Sequence, residues 1–165
     1  MRVLDVDGGP FDAVTCLFDS IGYLLTNEAI VEALRGARQH LAPHGVLAVE
    51  FLHAPAVLRH ASPVRVRRLP TPAGGTLYRI SEVRLDTARQ TMHVDYELLD
   101  LNEAGTAVSH WTETHDNRYF SLEEMRALFQ SAGLTSQFIP AYGEADTIDD
   151  SVWHVIAIAR PSTAA

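Results

Sequence analysis

The chain has 165 residues, 47% of them hydrophobic and 21% charged, with a formal net charge of −8 and one cysteine, Cys16. That profile fits a single folded domain and not a disordered chain, and it argues against a nucleic-acid partner, whose phosphates require a surplus of basic groups. One cysteine excludes an internal disulfide and suits a reducing, cytoplasmic setting, and no stretch approaches the ~20 apolar residues of a membrane-spanning helix.

DGGP at 7–10 signals a turn. The following run, Phe11–Phe18, is apolar or small without alternation from Ala13 onward, which predicts a strand buried on both faces, the habit of parallel sheets. Asp19, Ser20 and Gly22 break it. Thr26 is placed as an N-cap, and Ile30, Ala33, Leu34, Ala37 and Leu41 recur at helical spacing, predicting an amphipathic helix over 27–42. Pro43-His44-Gly45 stops that helix, and VLAVEF at 46–51 reads as a second buried strand. Together these make a right-handed βαβ unit.

The middle of the chain changes character. In VRVRR, Arg65, Arg67 and Arg68 read as a solvated strand face. Residues 77–85, 91–98 and 106–119 follow as strands of an antiparallel meander, the second with a period-two pattern, and NEAG at 102–105 turns between the last two. Trp111, Glu113 and His115 share one strand face and His110 the other, which argues against a His110/His115 metal pair; no metal site is expected. Ser121-Leu122-Glu123-Glu124 is a capping box opening a helix whose buried face is Leu122, Met125, Leu128, Phe129 and Ala132, with Gly133 closing it. Extended segments at 136–141 and 152–159 flank an acidic loop at 143–150, and Trp153 and His154 read as core packing. Residues 160–165 read as a frayed tail.

This order of strand, helix, strand, inserted antiparallel sheet, helix, strand and strand resembles the second half of the class I S-adenosylmethionine-dependent methyltransferases. FDAVTCLFDSIGYLL at 11–25 is similar to that family's fourth strand and the loop after it. HLAPHGVLAVEF at 40–51 is similar to its helix end, Pro-Gly turn and fifth strand, although His44 stands where the family usually has glycine. FSLEEMRALFQSAGL at 120–134 and SVWHVIAIAR at 151–160 are similar to its last helix and closing hairpin. The likeness is to small-molecule enzymes, amino-sugar N-methyltransferases among them.

The resemblance implies an α/β fold: a partial Rossmann-like sheet, the 4-5-7-6 half of the family's 3-2-1-4-5-7-6 order, in one domain with 64–119 inserted. VLDVDGG at 3–9 is not the family's glycine-rich cofactor loop, because Pro10 leads into a strand and not into a helix. That loop is therefore expected to be absent, and the chain to be the C-terminal part of such an enzyme.

The implied activity is methyl transfer from S-adenosylmethionine to the nitrogen or oxygen of a small-molecule acceptor. Leu17, Phe18, Asp19 and Ser20 would line the cofactor. Glu50 and His53, at the end of the next parallel strand, would orient the acceptor and take its proton. Tyr23, Trp111, Glu113, His115 and Tyr119 would face the acceptor. Without its neighbouring strands, 13–18 becomes an apolar edge that invites pairing, so self-association through it or through the inserted sheet is expected. A second reading stays open: a non-catalytic remnant serving dimerisation or small-ligand binding.

Overall fold

A computed structural model describes residues 6–143 and 145–162. The chain divides into two compact units, one built from residues 1–60 and 117–165 and the other from 61–116. The expectations placed on residues 1–5 lie outside the described residues.

The first unit holds a four-stranded sheet made of β1 (Phe11–Cys16), β2 (Leu41–Leu52), β8 (His154–Pro161) and β7 (Leu134–Pro140), in the order β1-β2-β8-β7. β1 and β2 are parallel, while β8 runs antiparallel to both β2 and β7. Read in the family's numbering, this is the expected 4-5-7-6 arrangement. β2 is the interior strand beside β1, and its residues Leu47, Val49, Phe51 and Leu52 are all buried. The Phe51 ring meets Phe120 and Phe138 edge-on, at 6.1 and 5.9 Å between centroids. Such edge-to-face pairs favour the ring quadrupoles as well as burying area.

Between β1 and β2 runs the helix α1 (Asn27–Gln39). Thr26 caps it by accepting a hydrogen bond from the Ala29 N–H at 3.3 Å, and Ile30, Leu34 and Ala37 form its buried face. A short helix, α2 (Ala54–His60), follows β2 and is not signalled by the sequence pattern, because seven residues are too few to show a helical period. α3 (Leu122–Ser131) has the expected serine cap: Ser121 Oγ accepts from the Glu124 N–H at 3.1 Å. Glu124 itself turns its carboxylate to the Arg118 guanidinium. Met125, Leu128 and Phe129 carry α3 into the same core as α1.

Three expectations are corrected. β1 is the edge strand that the resemblance implies, with β2 as its single partner, and not the doubly buried strand its apolar run suggests; its residues are all half-buried or exposed. Pro43-His44-Gly45 does not separate helix from strand but lies inside β2 as an irregularity: the pairing steps from Phe11↔Leu41 to Ala13↔Val46, so extra β2 residues bulge between them. Gly45 permits this, since a Cβ there would stand 2.8 Å from the Phe11 carbonyl oxygen. Finally, β8 continues through Arg160 and Pro161, paired with Thr135 and Leu134, where a frayed tail is expected.

The second unit is an antiparallel sheet of β3 (Val64–Pro70), β4 (Thr76–Asp86), β5 (Thr91–Leu101) and β6 (Ala107–Arg118), in sequence order. Every residue of β3 is exposed, as expected of VRVRR. β6 runs on to Arg118, so its last two residues belong to the first unit.

Candidate active site

In an open α/β sheet, ligands bind beyond the carboxyl ends of the parallel strands. Here those ends belong to β1 and β2. After Cys16 the chain does not simply turn: Phe18 and Asp19 both adopt left-handed backbone, at φ 56° and 54°. Neither is glycine, so each holds a conformation costing about 1–2 kcal/mol. Strain of this kind persists only where the surroundings over-determine it, and it clusters at functional sites.

The surroundings are explicit. The Phe18 N–H donates to Glu50 Oε2 at 2.9 Å, and the Asp19 carbonyl accepts from the Gly22 N–H at 2.9 Å and from Asn117 Nδ2 at 3.3 Å. Ser20 Oγ donates back to the Leu17 carbonyl at 2.7 Å. With its backbone clamped, Phe18 projects its ring outward, 78% exposed, beside a 38% exposed Leu17. Tyr23, one turn on, is 51% exposed.

Glu50 lies near the end of β2, 2% exposed. A buried carboxylate must be satisfied by donors, and besides Phe18 it accepts from Tyr142 Oη at 2.6 Å. His154 Nδ1 stands 3.2 Å from Glu50 Oε1 and 3.2 Å from the Asp19 carboxylate. The hydrogen bond to Asp19, followed by the charges of Asp19 and Glu50, raises the His154 pKa. Donating to the Glu50 carboxylate pushes the Tyr142 hydroxyl up to about 12. The Asp19, Glu50 and His154 donor atoms all lie within 4.8 Å of one another. That spacing would suit a cation, and it equally suits an imidazolium bridging two carboxylates.

His53 follows β2 directly and is also buried. Its Nδ1 bonds the Val152 carbonyl at 3.1 Å, and burial lowers its pKa, which favours neutral imidazole. Tyr119 is buried at 1% exposure, whereas Trp111, Glu113 and His115 lie on β6 within the second unit. There His115 Nε2 stands 3.3 Å from Glu113 Oε2 and its ring meets Tyr96 edge-on at 5.4 Å, while His110 turns to Glu97, confirming the opposite parity.

Of the residues singled out from sequence, Phe18, Asp19 and Glu50 are thus brought into one cluster, with Leu17 and Ser20 in the same loop. Sequence reasoning missed Tyr142 and His154. His154 looks like any residue of an alternating strand, and only the antiparallel pairing of β8 with β2, Leu52↔His154, carries it to this rim. Tyr142 has a faint local signal: it precedes Gly143 and takes a left-handed φ of 61°.

The fold and the rim define an open α/β sheet with a polar, strained ligand edge. No family model matches the chain. Among characterised proteins it is 31% identical over 134 residues to a dTDP-3-amino-3,6-dideoxy-alpha-D-glucopyranose N,N-dimethyltransferase of Streptomyces fradiae, a match spanning 81% of this chain and 50% of that protein. A dTDP-3-amino-3,4,6-trideoxy-alpha-D-glucopyranose N,N-dimethyltransferase of Streptomyces venezuelae is likewise 31% identical over 134 residues, covering 80% and 54%. Among solved structures, S-adenosylmethionine-bound CalS10, an amino pentose methyltransferase of Micromonospora echinaspora, superposes with a TM-score of 0.73 at 25% identity, over 95% of this chain and 61% of its own. The chain is thus similar, over most of its own length, to class I S-adenosylmethionine-dependent methyltransferases, the amino-sugar N-methyltransferases among them. It spans about half the length of the curated relatives it matches.

Proposed function

We propose that the protein takes part in methyl transfer from S-adenosylmethionine to an amino group of a small sugar-like acceptor. The observation that carries this is the left-handed Phe18–Asp19 pair held at the carboxyl end of β1 by Glu50 and His154. An exposed aromatic ring on a rigid loop, beside a carboxylate and backbone polar groups, fits a ligand that is part aromatic base and part amino acid. Leu17, Phe18, Asp19 and Ser20 would line its adenine and methionine portions. The bound cofactor supplies an electrophilic methyl group on a sulfonium.

The remaining work is positioning and proton handling. Glu50 and Asp19 place negative charge on the rim, where an amine gains by approaching as its cation. His53, kept neutral by burial, donates through Nδ1 to Val152 and so keeps Nε2 as the accepting nitrogen, the tautomer a base needs. Tyr23, Trp111, Glu113, His115 and Tyr119 stay assigned to the acceptor. The likeness to dTDP-amino-sugar enzymes supports an acceptor carrying a nucleoside diphosphate. We read residues 64–119 as an insertion into one methyltransferase domain and assign the protein to the cytoplasm.

The test is calorimetric titration with S-adenosylhomocysteine. Micromolar affinity supports the reading; silence at millimolar ligand opposes it.

A second reading has its own observation. β1 is an edge strand, and beside it Val14, Cys16 and Leu17 face Ala33, Leu34 and Ala37 of α1 across a groove of about 220 Å³. Such an edge can pair with a second copy, giving a dimer through residues 13–18 or through the second unit's sheet. Concentration-dependent gel filtration tests this: a monomer at every concentration removes it.

A further inference from the structure

Glu50 is assigned to the acceptor, yet it is 2% exposed and its oxygens are already occupied. Oε2 accepts from the Phe18 N–H at 2.9 Å, and Oε1 accepts from Tyr142 Oη at 2.6 Å with His154 Nδ1 at 3.2 Å. All four residues belong to the first unit. The donors differ in kind. Phe18 gives a backbone N–H, and His154 sits on β8 in register with Leu52 of β2. Tyr142 instead hangs from the turn after β7, 61% exposed, with its ring edge-on to His154 at 5.7 Å. Tyr142 and Gly143 are both left-handed, at φ 61° and 66°. Tyr142 is not glycine, so the turn carries its hydroxyl to Glu50 in a conformation that side chains resist. Letting go of the carboxylate frees that backbone to relax.

The charges around Glu50 leave room for one more cation. Asp19 and Glu50 bring two negative charges, and His154, as imidazolium, brings one positive. Among the described residues, neither carboxylate has another cationic partner. The Tyr142 hydroxyl, pushed up to about 12, keeps its proton and so contributes a donor without a charge. A buried carboxylate gains more from a charged donor than from a neutral one. Beside Tyr142 and His154 lies a cavity of about 130 Å³, lined also by Ala141, Val152 and Trp153, into which a displaced ring can turn.

We propose that Tyr142 is a displaceable stopper on Glu50, and that the ligand which displaces it is an alkylammonium whose N–H takes over Oε1. That this ammonium belongs to the methyl acceptor rests on the reading under Proposed function. The stopper keeps a buried carboxylate satisfied while the rim is empty. It also selects amines over alcohols: a ligand hydroxyl offers Glu50 only what Tyr142 already gives, whereas an ammonium adds the missing charge.

The experiment titrates glucosamine, with glucose as its uncharged counterpart, into the full chain, Y142F and an R59Q control. Arg59 pairs with Asp150 in the segment between β7 and β8 and touches neither carboxylate. The full chain should bind glucosamine in preference to glucose. Y142F should bind glucosamine about tenfold more tightly, because apparent affinity scales with the fraction of time the site stands open, and R59Q should match the full chain. Unchanged or weakened binding in Y142F, an equal gain in R59Q, equal binding of glucose, or no glucosamine binding at high millimolar concentration would overturn the proposal. Fluorine spectra of 3-fluorotyrosine-labelled protein follow the stopper itself, the Tyr142 signal being the one missing from Y142F. That signal should shift with glucosamine and not with glucose; a static signal while glucosamine binds would contradict displacement. The melting temperature of Y142F should stay within a few degrees of the full chain, and a larger fall would make Tyr142 part of the fold instead. S-adenosylhomocysteine titrated into the same preparations separates the two readings. Cofactor binding with no displacement of Tyr142 removes only the stopper, and displacement by glucosamine without cofactor binding removes only the methyl-transfer reading.

Discussion

The backbone N–H of Phe18 donates to the carboxylate of Glu50 at 2.9 Å, tying the left-handed turn after β1 to the buried end of β2. That bond links a strained loop to a side chain that is itself satisfied by Tyr142 and His154. The loop's shape is therefore set by residues distant in the chain, and the following expectations come from that coupling.

Phe18→Gly should separate stability from binding. Glycine relieves a left-handed φ worth about 1 kcal/mol but adds unfolded-state entropy of similar size. The ring is 78% exposed, so little packing is lost. The melting temperature should change by no more than a few degrees, while S-adenosylhomocysteine affinity falls tenfold or more. A large stability loss would show that the ring serves packing instead.

His154→Gln should flatten the alkaline side of the stability profile. His154 has a raised folded-state pKa, through Asp19 first and Glu50 after it. Its contribution is complete below the unfolded value of about 6.5 and is lost as pH rises through the raised folded value. His53 has the opposite sign: burial lowers its pKa, so the fold loses stability as pH falls below about 6.5. Urea midpoints measured from about pH 6 to 9 should thus decline for the wild type and stay nearly level for H154Q. An identical decline in both proteins would remove the His154–Asp19 pair from the account.

Gly22→Ala should be among the costliest single changes. A Cβ at Gly22 would fall 1.8 Å from Asn117 Oδ1 and 2.7 Å from the Arg118 carbonyl oxygen. The amide can rotate away, but the backbone carbonyl cannot, and Asn117 also holds the Asp19 carbonyl. A loss of about 2–3 kcal/mol is expected, read as a lowered urea midpoint. A loss under about 0.5 kcal/mol would mean that the turn after β1 is free to shift.

Glu50→Gln should weaken the rim more than its size suggests. Phe18 N–H, Tyr142 Oη and His154 all point donors at this carboxylate, and an amide offers one acceptor oxygen and turns an NH₂ toward the others. Leaving a buried donor unmatched costs about 1–3 kcal/mol. Thermal melts would show it, and a Tyr142→Phe background should make the loss smaller by removing one donor.

Much of this architecture is legible in the residues. Thr26 and Ser121 cap their helices as written, the Thr91–Leu98 alternation marks β5, and the motif order anticipates a sheet in which the last strand lies beside β2. What escapes the sequence is set by pairing. Taken alone, the apolar run at 13–18 looks doubly buried because hydrophobic content does not say how many neighbours a strand has; only the motif order marks it as an edge. His154 looks structural because its role depends on its place beside Leu52.

The central claim is that Leu17, Phe18, Asp19 and Ser20, held by Glu50 and His154, form the cofactor side of a methyltransferase rim. Amide chemical shifts recorded while S-adenosylhomocysteine is added test it residue by residue. The account predicts saturable shifts centred on residues 17–20 and spreading to Glu50 and His154, abolished in Phe18→Gly. Shifts confined to other parts of the chain, or none at millimolar ligand, would contradict it.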